Sequence, residues 1–74
     1  MKIPSDKDIV KLFGRKIKEL REGQGLSQSQ LAFEAKMPRE QIGRIERGQV
    51  NTGVKNIGAI ALALNLKPKD LFDF

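Results

Sequence analysis

QSQLAFEAKMPREQIGRIER, residues 28–47, reads as two short helices joined by a tight turn. Apolar residues recur in it at spacings of three and four, the period of a helix, and strand-like alternation is missing. Ser27 is placed to cap the first of these helices, Gln28 to about Ala35, with Gln30 closing a capping box. Leu31, Ala32 and Ala35 form its inner face. Lys36-Met37 is the connection, and Pro38 suits the first turn of the second helix, Pro38 to about Arg47, where its missing N–H leaves nothing unsatisfied. Gly48 stops that helix. Ile42 and Ile45, with Met37 at the turn, point inward and leave Arg39, Glu40, Gln41, Gly43, Arg44 and Arg47 on outer or flanking positions. Helices meeting steeply over so short a turn need a small residue where they approach, and Ala32 supplies it.

Outward from this stretch the same period continues. A helix from about Asp6 to Glu22 is expected before it, with Ser5 as N-cap and Asp8 completing a weak capping box. Ile9, Phe13, Ile17 and Leu20 fall on its inner stripe, while Lys11, Arg15, Lys18 and Glu22 face water. Gly23-Gln-Gly25 ends it. After the stretch, Gln49 to Gly53 is a polar loop, followed by a helix from about Val54 to Leu64. That helix carries Val54, Ile57, Ile60, Ala61 and Leu64 and is apolar enough to be the central buried element, with Asn65 as its C-cap. A last turn or short helix from Pro68 delivers Leu71 and Phe72 to the core. Phe33 is expected to pack against a neighbouring helix rather than meet a partner. The whole reads as one all-α domain over residues 1–74, without repeats or linkers.

Composition narrows the chemistry. A chain of 74 residues buries only roughly 60% of the surface its unfolded form exposes, so the core must be small. With 39% apolar and 31% charged residues it is still too apolar for a disordered tail. Cysteine and histidine are both absent, which removes disulfides, thiolate metal sites and any Ser-His or Cys-His nucleophile. Neither catalysis, nor a metal, nor a cofactor is expected. The longest apolar run lies within Ile57 to Leu66, far short of the ~20 residues of a membrane span. Residues 1–10 lack the apolar region of a signal peptide, so a soluble cytoplasmic protein is expected. The net charge of +5 and a pI near 9.9 fit a polyanionic partner, or simply a solvated surplus of lysine.

Once Ile42 and Ile45 seat the second helix of the pair, its other side must project, and a projecting helix fits a DNA major groove about 12 Å wide. Arg39, Glu40, Gln41 and Arg44 then stand where base edges would be. Arginine forks to guanine O6 and N7, glutamine pairs with adenine N6 and N7, and glutamate accepts from cytosine N4. For Glu40 a second reading stays open, orienting a neighbouring arginine.

At these residues the sequence resembles the lambda-repressor-like family of helix-turn-helix DNA-binding domains. The resemblance covers about residues 9 to 72. It is carried by Ile17-Lys-Glu-Leu-Arg21, Leu26-Ser-Gln-Ser-Gln-Leu-Ala32, Ile42-Gly-Arg-Ile-Glu-Arg-Gly48, and the ending Ala61-Leu-Ala-Leu-Asn-Leu66 through Leu71-Phe72. It implies a compact five-helix domain whose second and third helices read DNA, usually as a dimer on a two-fold symmetric operator. It also implies phosphate contact by Gln28, with Ser27 beside it, and base contact by Arg39, Glu40 and Arg44. A loop including Asn51 and Thr52 would follow the DNA backbone, with Arg47 a further candidate phosphate grip. A partly buried pair between Arg21 and Glu46 is implied as well, with a structural role.

Three residues depart from the family pattern. Lys36 replaces the small residue usual in the turn, where a left-handed backbone would cost roughly 1 to 2 kcal/mol. Gly43 lies inside the reading helix, which either close approach to DNA or simple drift accounts for. Gly53 stands where a hydroxyl cap is common, a loss of a few tenths of a kcal/mol.

The function expected is sequence-specific binding of double-stranded DNA by a transcriptional regulator, a dimeric repressor or autoregulator with helix 38–47 in the major groove. Its dimer surface is expected around Leu62, Lys69 and Phe74, although Phe74 reads equally well as a frayed terminus. The alternative is a protein-interaction module, antitoxin-like or docking an effector, with weak DNA binding. RNA is disfavoured, because stacking aromatics outside the core are lacking.

Overall fold

The computed structural model describes residues 3–74 and folds them into four α-helices and one 3-10 helix. These are α1 (Asp6–Gly23), α2 (Gln28–Ala35), α3 (Arg39–Glu46), α4 (Val54–Ala63) and the 3-10 helix Pro68–Phe72. No strand occurs among the described residues, and none of their helices is long and apolar enough to cross a membrane. The expected fifth helix is thus the 3-10 turn. Pro38 stands one place outside α3, as its N-cap.

Both capping boxes form. Ser5 Oγ accepts from the Asp8 N–H at 3.2 Å and Asp8 Oδ2 from the Ser5 N–H at 3.2 Å. Ser27 and Gln30 do the same at 3.0 and 2.7 Å, fixing where α2 begins. At the α2–α3 turn Lys36 adopts φ 56°, ψ 44°, the left-handed conformation, and the Met37 N–H donates to the Ala32 carbonyl at 2.9 Å. A lysine therefore holds a conformation that glycine takes without steric cost.

The core gathers Ile17, Leu31, Ile42, Ile45, Ile60, Leu64 and Leu71, all fully buried, with Phe13, Ala32, Ala35 and Ala61 around them. Each large side chain contributes roughly 1.5 to 3 kcal/mol by leaving water. α3 packs against both α1 and α2, α2 also against α4, and the 3-10 helix closes the end between α1 and α4. The tightest approach is between α1 and α3. A Cβ built on Gly14 would run into the Ile45 carbonyl oxygen and lie 2.9 Å from that of Glu46, so the two backbones meet with no side chain between them. Ala32 is buried at the α2–α3 approach, as its size suggests. Gly48, at φ 69°, turns the chain out of α3 against the stem of Lys11.

Several expected core positions lie elsewhere. Val54, in the first turn of α4, is 84% exposed, and Phe33 is 82% exposed on the outside of α2 rather than packed on a neighbour. Ile9 lies at the open end of α1 and is also exposed. Phe72 lies against Phe13 with ring centroids 5.0 Å apart and against Phe74 at 6.3 Å, yet it stays partly exposed, as does Phe74. α4 is correspondingly not the central buried element. It buries Ile60 and Ala61 while Leu62 is 81% exposed.

Candidate nucleic-acid interface

α3 divides cleanly into two sides. Ile42 and Ile45 are driven into the core, and Arg39, Glu40, Arg44 and Arg47 are left on the surface, with Gln41 half-buried between them. The outward face thus carries three guanidinium groups against one carboxylate. Glu40 and Arg44 lie one turn apart at 3.9 Å, an exposed pair worth about 0.5 kcal/mol or less. Neither side chain is locked by it.

A groove runs along each flank of α3. Between α2 and α3 it is lined by Gln28, Arg39, Glu40, Gly43, Arg44 and Arg47. On the far side Glu40, Gln41 and Arg44 face Asn51, Thr52 and Asn56 of the α3–α4 loop and the start of α4. The structure therefore brings most of the sequence-selected residues onto one face. Ser27 is the exception: it lines neither groove, and its hydroxyl caps α2 by accepting from the Gln30 N–H. Thr52 is tied as well, its Oγ1 accepting from Asn56 Nδ2 at 3.1 Å. Gly43, expected on an outer or flanking position, is buried beneath the side chains of Arg47 and Gln28.

Behind this face lies a polar cluster. Arg21 donates from Nε to Glu46 Oε2 at 2.7 Å and from Nη2 to Glu46 Oε1 at 3.0 Å, both inside the protein. Its Nη1 donates to the Leu26 carbonyl at 2.7 Å. Glu46 Oε1 also accepts from Gln28 Nε2 at 3.0 Å. One carboxylate thus ties the end of α1, the start of α2 and the last turn of α3 together. Hydrogen bonding to Glu46 raises the Arg21 guanidinium above its ordinary pKa and outweighs the opposing effect of burial. No buried side-chain polar atom among the described residues lacks a partner.

Sequence reasoning missed three members of this region. Gln49 accepts from Arg47 Nε at 3.2 Å, Asn56 anchors Thr52, and Gln24 Nε2 donates to the Leu64 carbonyl at 2.8 Å, tying α1 to the end of α4. Only the Thr52-Asn56 pair carried a signal, hydrogen-bonding residues four apart at a helix start. The other two depend on the tertiary fold.

The chain is 45% identical over 64 residues to the control protein C.BamHI of Bacillus amyloliquefaciens, covering 85% of this chain and 79% of that protein. Its fold matches the restriction-modification controller protein C.AhdI of Aeromonas hydrophila with a TM-score of 0.84 at 43% identity, over 85% of this chain and 96% of that one. It also matches the restriction-modification controller protein C.Esp1396I, solved as a tetramer in complex with its natural 35 base-pair operator, with a TM-score of 0.81 at 26% identity, over 95% of this chain and 90% of that one. The helix-turn-helix (HTH_3) family model matches residues 17–71, spanning the whole α2–α3 unit and every fully buried side chain of the core that carries it, and the chain belongs to that family.

Proposed function

We propose that residues 1–74 form one DNA-binding domain, acting in the cytoplasm as a transcriptional regulator of the restriction-modification controller type, by binding and not by catalysis. The observation that carries this reading is α3 itself, apolar on the side seated in the core and rich in arginine on the side that projects. Arg39, Glu40, Gln41 and Arg44 are the base-reading set. Gln28, Arg47, Asn51 and Thr52 hold phosphates along the two flanking grooves, with Ser27 serving through its position at the start of α2. The relatives support the operator as ligand, since C.Esp1396I is known with its own.

One such domain offers a single short reading helix, too few contacts for tight specific binding. Two copies on a two-fold symmetric operator, with half-sites ~34 Å apart, supply the rest. Exposed Leu62 and Phe74, near Lys69 in sequence, form the contact between copies. Selection of bound duplexes from a random pool tests the reading. A paired, inverted motif is the expected result, and a pool that never enriches would sink it.

A further inference from the structure

Gly43 occupies the middle of α3, where glycine is disfavoured roughly fivefold relative to alanine. A Cβ there would lie 3.0 Å from Nη1 of Arg47, 3.7 Å from its Cζ and 3.6 Å from Oε1 of Gln28, all of them side-chain atoms. The guanidinium of Arg47 therefore rests on bare helix backbone, in the groove between α2 and α3. Its Nε donates to Gln49 at 3.2 Å, and Arg47 pairs with no carboxylate among the described residues. Of the nearby acids, Glu46 is taken up by Arg21, and Glu40, on the same groove, pairs loosely with Arg44 at 3.9 Å. Gln28 is fixed beside it by Glu46.

We propose that Gly43 is a positioning residue for phosphate binding. Its missing side chain makes a shelf on which Arg47 lies, so that an uncompensated charge stands ready at the edge of the reading helix. An arginine free in solvent must give up rotamer freedom when it grips a phosphate, whereas a seated one has already given it up. The inference rests on the reading of α3 as the DNA-reading helix, and it assigns to position 43 a role through Arg47 and not through contact with a base.

The test compares wild type, Gly43→Ala, Arg47→Ala and the double variant, binding to a selected operator and to random duplex over a range of salt. Gly43→Ala should melt no lower than wild type, because it gains helix propensity and displaces only the end of a flexible side chain. Its affinity should nevertheless fall roughly tenfold on both duplexes. Its salt slope should stay near that of wild type, because Arg47 keeps its charge and still reaches phosphate, whereas that of Arg47→Ala should drop by about one. In the double variant the alanine at 43 should add nothing further. If it weakens binding just as much without Arg47, the methyl obstructs DNA directly and the proposal is overturned. Wild-type affinity in Gly43→Ala would overturn it too, as would a salt slope lowered as far as that of Arg47→Ala. A wild-type protein that binds no duplex would bring down the DNA reading itself, an outcome distinct from a binding wild type with an indifferent Gly43→Ala.

Discussion

Glu46 carries more than its share of the polar order, since Arg21 and Gln28 both donate to it and its side chain is only 2% exposed. Removing it leaves the buried Arg21 guanidinium with the Leu26 carbonyl and the outlying Glu22. Glu46→Ala should therefore destabilise the protein by about 3 kcal/mol or more, against under ~1 for an exposed pair. Thermal unfolding decides it, and a variant melting within a degree or two of wild type would contradict a buried role for the pair. The residues proposed to touch DNA should separate by a different measurement. Arg44 projects from the outer face of the last turn of α3, so Arg44→Ala should relax preference at one base pair per half-site, by ~1 to 3 kcal/mol of discrimination. Gln28→Ala, at the start of α2, should instead weaken all duplexes alike. Competition on single-base operator variants measures both, and a uniform loss in Arg44→Ala would make that residue a phosphate grip.

The decisive element-scale feature is the α1–α3 crossing at Gly14, where a methyl would meet backbone that cannot swing aside. Gly14→Ala should cost about 3 kcal/mol despite its gain in helix propensity. Gly58→Ala, in α4, meets open space and should gain about 1 kcal/mol. Opposite shifts in melting temperature are expected, on the order of 4 to 8 °C per kcal/mol for a domain of this size. That contrast is invisible in the sequence, because helical periodicity does not say what another element brings against either glycine. What was legible followed from local chemistry. Ser5 with Asp8 and Ser27 with Gln30 announced two helix starts, and Ile42 with Ile45 announced the buried side of α3. Periodicity gives a face and not its cover, which is why Val54 and Phe33 were misplaced. Side chains lean toward a helix's N-terminus, so Val54 in the first turn projects beyond the packed part of α4. Phe33 lies about half a turn from Leu31 and Ala35, on the side no neighbour reaches.

For the molecule as a whole, Leu62 is exposed while Ile60 and Ala61 beside it are buried, so its apolar surface can be altered without touching the core. Leu62→Glu should leave melting unchanged yet weaken the operator complex if copies meet there, as sedimentation with a selected duplex would show. An unaltered two-protein complex would move the dimer contact elsewhere. α3 is itself held unevenly. Its C-terminal end bears on Gly14 and is tied to Arg21 and Gln28 through Glu46, whereas at its start Pro38 makes no side-chain cap bond. It is a cantilever. Amide hydrogens near Glu40 and Gln41 should exchange through small local openings, and those from Ile45 to Arg47 only when the whole molecule unfolds. Uniform protection along α3 would contradict this. Such a gradient would leave Arg39 able to adjust to variation at one edge of a half-site while Arg44 and Arg47 stay in a fixed register.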